Sequence, residues 1–155
     1  SATWRNAYLL AAREYREGPP RPMPAALSWG QLDALGSEAL FDTMAVRFNA
    51  PRAAGLEATM AWTFEDRNEH WRLELSHGAL HAWRVDAAAP ADVTLRLSRD
   101  TLHRVLRGSI GAADAVATGQ VRVTGDAGLF TRFVDLLDAF TLNFAVVEAA
   151  PWPDR

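Results

Sequence analysis

The sequence predicts an α+β fold, and three observations carry that expectation. Between Leu56 and Leu97, apolar and polar residues alternate with a period of two, as strands do when they bury one face. Before and after that region, apolar residues recur at helical spacing. Strands drawn from one stretch, with helices gathered on one side, give an α+β architecture rather than alternating β–α units. A length of 155 residues suits one domain with an appended arm.

Taken in order, the chain begins with a helix. Thr3 is a candidate cap, and Trp4, Ala7, Tyr8, Ala11 and Tyr15 share one side. Gly18, Pro19 and Pro20 end it. Four prolines between Gly18 and Pro24 predict an extended connector at about 3.1 Å per residue. Residues 1–24 therefore read as a helical arm (the helix within 1–17) and proline-rich connector from a preceding domain, and residues 25–155 as the domain itself. The start inside a helix predicts an excised fragment.

Ser37 is the expected cap of a second helix, with Glu38 favourable at the positive end of its dipole. Leu40, Phe41, Met44, Ala45 and Phe48 lie on one side of it. After a loop over 49–55, Leu56, Ala58, Met60, Trp62 and Phe64 share a parity. Trp71, Leu73 and Leu75 do the same over 70–76, His77-Gly78 makes a tight turn, and 79–85 and 93–97 continue the pattern as an antiparallel meander. Ser98 should cap a helix carrying Leu102, Val105 and Leu106. A short strand over 119–124 follows. From Asp126, Leu129, Phe133, Leu136, Leu137 and Phe140 form a broad helical stripe that Phe144 and Val147 extend.

Composition excludes several functions. The net charge is −3, every basic side chain is arginine, and the arginines form no run, so no polyanion-binding patch is visible and nucleic acid is not an expected partner. Arginine without lysine, together with abundant alanine, suggests a high-GC bacterial source. No apolar run approaches the ~20 residues that span a bilayer. The absence of cysteine excludes disulfides and thiolate metal sites and leaves the compartment open between cytoplasm and periplasm or exterior. His77 and His81 have i, i+4 spacing but fall on a hairpin, and a zinc site needs three or four converging ligands. Gly108-Ser109-Ile110-Gly111 lacks the spacing of a nucleophile elbow and reads as a corner between helices. Gly125-Asp126 could place an anion at a helix N-terminus, but Asp126 already supplies negative charge there and reads as the cap. The six tryptophans and seven phenylalanines remain. From the residues alone they describe either a filled core or the walls of an apolar cavity.

Three stretches carry a resemblance. Thr3-Trp4-Arg5-Asn6-Ala7-Tyr8-Leu9-Leu10-Ala11-Ala12-Arg13-Glu14 resembles the helix joining the catalytic and C-terminal domains of alkyl sulfatases of the metallo-β-lactamase superfamily. Leu40 to Asn49, then Pro51 and Ala53-Ala54-Gly55, resemble that family's C-terminal domain ahead of its first strand. Gly119-Gln120-Val121-Arg122-Val123-Thr124-Gly125-Asp126, followed by Phe133 to Phe140, is similar to a strand-and-helix signature shared with sterol carrier proteins of the SCP-2 type. The resemblance covers nearly the whole chain and is weakest around 18–36 and 108–118.

It implies an SCP-2-like domain: a five-stranded, mostly antiparallel sheet covered by helices, with an apolar cavity between them. It implies a parent that hydrolyses alkyl sulfate esters at a two-zinc centre. The metal motif of that catalytic domain has no counterpart here, so this chain is expected to be non-catalytic and to hold no cofactor of its own. Its expected role is to bind the alkyl tail. Phe41, Met44, Phe48, Met60, Trp62, Phe64, Phe133, Leu137, Phe140 and Phe144 are the expected walls. Each CH₂ moved from water contributes ~0.8 kcal/mol, so a tail of about twelve carbons gains roughly 9–10 kcal/mol gross. Micromolar binding needs about 8 kcal/mol net. The expected partners are an alkyl chain and the parent's catalytic domain. The rival readings are a structural or homodimerisation module without ligand, a free-standing lipid-transfer protein and, last, a small hydrolase.

Overall fold

Alternation between Leu56 and Val85 folds as three antiparallel strands, β1 (Ala58–Phe64), β2 (Glu69–Ser76) and β3 (Ala79–Val85). Met60 lies opposite Leu73, and Leu73 opposite Ala82, so the apolar parity of each strand meets on one face. The computed structural model describes residues 1–21, 34–87, 89–140, 145 and 147. His77 and Gly78, at φ 52° and 76°, form the tight turn between β2 and β3. Two consecutive positive φ angles match the twist of the flanking strands.

The next strand departs from the expected meander. β4 (Val93–Leu97) crosses to the far side of β1 and runs parallel to it, Met60 opposite Val93 and Phe64 opposite Leu97. Asp92 fixes this placement: its carboxylate accepts from the Thr59 backbone N–H at 2.7 Å and from Thr59 Oγ1 at 2.9 Å. Both bonds hold its pKa below the ordinary value. β5 (Arg122–Gly125) pairs antiparallel with β4, giving the order β3-β2-β1-β4-β5. The sheet is thus five-stranded and mixed, with β1 at its centre. Gly125 has φ 97°, and a Cβ there would lie 2.4 Å from the Asp92 carbonyl oxygen, so only glycine fits this close pairing.

The first helix is α1 (Ala2–Glu17). Four more, α2 (Ser37–Arg47), α3 (Arg99–Leu106), α4 (Ala112–Ala117) and α5 (Ala127–Asp135), bury apolar residues in the core with the inner face of the sheet. Ser98 caps α3 by accepting from the Thr101 N–H at 3.1 Å, and Asp126 caps α5 by accepting from the Gly128 N–H at 2.9 Å, both as expected. Residues 108–111 are the corner between α3 and α4. Two expected caps differ. Ser1, not Thr3, accepts from the Trp4 N–H. Gly36 is the cap residue of α2, and the Ser37 hydroxyl is turned to buried partners described below.

The last helix is shorter than its stripe suggests. α5 ends at Asp135, and Leu137 bridges to Phe48. Tertiary bonds take over there: the Asn49 N–H donates to Leu136 O at 2.9 Å, the Asp138 N–H to Arg47 O at 2.7 Å, and Arg47 Nε to Asp138 O at 2.7 Å. These groups satisfy the backbone outside the helix, so the helical spacing of Phe140 has no helix to continue. Phe144 lies outside the described residues.

By their internal packing, residues 26–138 form one compact unit, and 1–25 with 139–155 form another. In the second, Glu14 is buried and accepts from the Val147 N–H at 3.0 Å. Trp4, Tyr8, Leu9 and Tyr15 are exposed along α1. Among the described residues no helix is long and apolar enough to cross a membrane.

Candidate functional site: two buried clusters on the sheet

The inner parity of β1 places Met60, Trp62 and Phe64 side by side, fully buried. α2 lowers Phe41 and Met44 onto them, three residues apart on one helical face. α5 adds Phe130 and Phe133 at the same spacing. Trp62 is the hub. Its ring centroid lies 5.7 Å from Phe41, 5.8 Å from Phe130 and 5.9 Å from Phe133, each edge to face. Phe41 also stacks on Phe64 at 5.9 Å and meets Trp71 at 4.9 Å. Phe48, half-buried, stacks on Phe133 at 6.4 Å at the margin.

Eight of the ten residues expected from sequence therefore belong to one apolar cluster: Phe41, Met44, Phe48, Met60, Trp62, Phe64, Phe133 and Leu137. Phe140 stands apart. It lies beyond α5, in the unit with the arm, and is 52% exposed. Phe130 and Trp71 were missed, although Trp71 shares the inward parity of Leu73 and Leu75, and Phe130 sits one residue after Leu129 in the stripe.

A second cluster, polar and centred on the buried Arg99 and His103, adjoins the first. Arg99 opens α3 yet is only 1% exposed. Its guanidinium donates to Ser37 Oγ at 2.6 Å and to Leu35 O at 3.1 Å, contacts His103 Nε2 at 3.3 Å, and lies 5.5 Å above the Phe64 ring. Its backbone N–H donates to both Asp66 oxygens at 3.1 Å. Ser37 Oγ donates in turn to Glu69 Oε2, which also accepts from Trp71 Nε1 at 3.1 Å. Partial burial pushes the Glu69 carboxyl up. The hydrogen bonds from Ser37 and Trp71, with the charges of Arg84 and Arg99, outweigh it and hold the pKa below the usual glutamate value. Sequence offered little signal for this cluster, because an arginine in a first helical turn reads as a solvated residue.

The histidines do not converge. His70 pairs with Thr63 Oγ1 at 3.1 Å, His77 occupies the hairpin turn, His81 is exposed on β3, and His103 is buried beside Arg99. Among the described residues no group of three or more His, Asp or Glu is placed to hold a metal ion.

Against known proteins, the family model described as "Alkyl sulfatase C-terminal" matches residues 25–149. An (R)-specific secondary-alkylsulfatase from Pseudomonas is 34% identical over 152 residues, which cover 96% of this chain and 22% of that protein. An alkyl/aryl-sulfatase of Saccharomyces cerevisiae is 33% identical, covering 96% and 23%. The chain thus spans about a fifth of the length of these relatives. The solved structure of an inverting sec-alkylsulfatase from Pseudomonas superposes with a TM-score of 0.74 and 32% identity, over 88% of this chain and 22% of that one. Sterol carrier protein 2 shares the fold at 20% identity and a TM-score of 0.50, over 63% of this chain and 92% of that one. With the mixed sheet, the helices on its inner face and a match over most of its length, the chain belongs to the alkyl sulfatase C-terminal family.

Proposed function

We propose that this domain is a non-catalytic, chain-binding part of a longer alkyl sulfatase. It takes up the alkyl tail of a sulfate-ester surfactant and holds it near a zinc-dependent catalytic domain outside this chain. The observation that carries the reading is a coincidence of two likenesses. A segment matching about a fifth of an alkyl sulfatase has the fold of a sterol carrier protein. The inner face of its sheet gathers aromatic and thioether side chains from β1, α2 and α5 into one buried apolar cluster, the kind of lining an alkyl tail needs. Phe48, half-buried and stacked on Phe133, would be the entrance. A tethered tail-binding site raises the local surfactant concentration at the neighbouring catalytic domain.

Zinc belongs to that other domain in this reading. The dispersed histidines and the serine- and tryptophan-bound Glu69 do not fit a zinc donor set, and no step is routed through a metal here.

A structural or dimerisation module is the second reading, and one observation favours it: the cluster's ring separations of 4.9–6.4 Å are those of a filled core. The two readings separate on uptake. An environment-sensitive apolar dye bound by the full chain should be displaced by dodecyl sulfate below its micelle concentration, with micromolar affinity. The same sample should release no sulfate, with or without added zinc. Absence of dye uptake and of dodecyl sulfate binding supports the structural module. Zinc-dependent turnover that copurifies with the chain overturns the non-catalytic assignment.

A further inference from the structure

Trp62 and Trp71 face each other across β1 and β2, and their indole N–H groups meet different fates. Trp71 Nε1 donates to Glu69 Oε2. Trp62 Nε1 is fully buried and meets no acceptor oxygen or nitrogen among the described residues. Its ring neighbours are hydrocarbon: Phe41, Phe64, Phe130 and Phe133. A buried donor left unpaired is costly and uncommon, and an aromatic face accepts an N–H only weakly. Phenylalanine would fill most of this space without that cost. The position therefore carries a donor that the fold itself does not use.

We infer that the Trp62 indole N–H recognises a neutral oxygen on a long apolar chain, as in a long-chain alcohol. The inference rests on the chain-binding reading above and adds the chemistry of the ligand's polar atom. The oxygen must be uncharged. A sulfate monoanion among four phenyl rings would be desolvated without a cation to pair it, whereas a hydroxyl or ether oxygen costs far less to desolvate and gains the indole donor in compensation. Arg99, the buried cation that adjoins the cluster, lies over the Phe64 ring and is bound to Ser37 and Leu35. A surfactant would thus bind tail-first with its sulfate outside. Hydrolysis of its ester replaces the sulfate by a neutral hydroxyl on the same chain, and the resulting alcohol can enter oxygen-first. The cluster would then hold the product of the reaction proposed for the parent in a different orientation from its substrate.

The test uses the full chain, decane, decyl alcohol and decyl methyl ether. Binding is followed by the methyl resonances of Met44 and Met60, which lie in the cluster. Trp62→Phe should weaken the alcohol and the ether about fivefold, the worth of one net hydrogen bond, and leave decane unchanged. In the unmutated chain the Trp62 indole proton should move downfield with the alcohol and the ether and stay in place with decane. An equal loss for all three ligands would assign Trp62 to shape alone and overturn the inference. If Trp62→Phe does not fold, the indole shift decides by itself, and a silent indole in the presence of bound alcohol is the negative result. Alcohol and ether binding with a silent Trp62 sinks this inference alone. Failure of every chain to bind sinks the chain-binding reading and this inference with it.

Discussion

The inner side of the sheet holds two buried clusters built on opposite rules, in contact through Phe64. Around Arg99, charge is buried with hydrogen bonds to Ser37, Leu35 and His103, and Ser37 links it to Glu69. Around Trp62, the neighbours are aromatic, and among the described residues the polar atom of the hub meets no acceptor. A bonded polar cluster ties elements together, here the starts of α2 and α3 to β2. On the chain-binding reading proposed above, the apolar cluster with its spare donor would also serve a molecule that is not part of the chain. That reading gives recognition to one region and not to the other.

The largest expected effects test that division directly. Arg99→Met keeps the side-chain length and removes the charge and its bonds. Breaking a buried, hydrogen-bonded ionic cluster costs about 3–5 kcal/mol, read from urea unfolding of the full chain. Phe133→Ala should cost a similar amount, about 3–5 kcal/mol, through the cavity left beside Trp62 and Phe48. Stability alone does not separate them, but chain binding does. Under conditions where both variants are folded, Phe133→Ala should change affinity for dodecyl sulfate and Arg99→Met should not. A folded Arg99→Met variant that loses dodecyl sulfate binding would show the two clusters acting as one site. A cost below about 1 kcal/mol for Arg99→Met would remove its role as a tie.

A smaller effect should appear in acid. The Glu69 carboxyl is held below its ordinary value of 4.5, so its ionised form favours the folded chain above that pH. That contribution is lost as the pH falls through the lowered folded-state value. Between neutral pH and about pH 3, the melting temperature of the unmutated chain should drop more than that of Glu69→Gln, which has no charge to lose but keeps an acceptor for Ser37 and Trp71. Parallel curves for the two proteins would mean that acid sensitivity resides elsewhere, with Asp92 and its bonds to Thr59 the next place to look.

These two regions also differ in how well the sequence disclosed them. Period-two alternation revealed β1 and β2, because a strand that buries one face must repeat every second residue. It therefore put Met60, Trp62 and Phe64 on one surface. Alternation is silent on which strand lies beside which, so the parallel placement of β4 against β1, set by Asp92 and Gly125, was not legible. The Arg99 cluster joins residues 35, 37, 69, 99 and 103, and no local pattern marks such long-range bonding. Ser37 was noticed for the wrong reason: its type suits a cap, but its hydroxyl found stronger partners in Glu69 and Arg99. The spare donor of Trp62 was invisible, since only packing shows whether an indole N–H has an acceptor.

Phe140 gives the smallest effect and the sharpest check on the boundary of the recognition region. By spacing alone it continues the stripe of Leu129, Phe133, Leu136 and Leu137, which would make it a wall residue. In the structure the Arg47 and Asn49 bonds to Leu136 and Asp138 close the helix first, and Phe140 emerges half-exposed. An exposed side chain that makes no buried contact changes stability by no more than about 0.5 kcal/mol when truncated. Phe140→Ala should therefore leave the urea midpoint and the affinity for dodecyl sulfate unchanged, in contrast to Phe133→Ala seven positions earlier. A drop in affinity without a drop in stability would show that Phe140 folds over the bound chain. The recognition region would then extend past α5 into the unit that carries the arm.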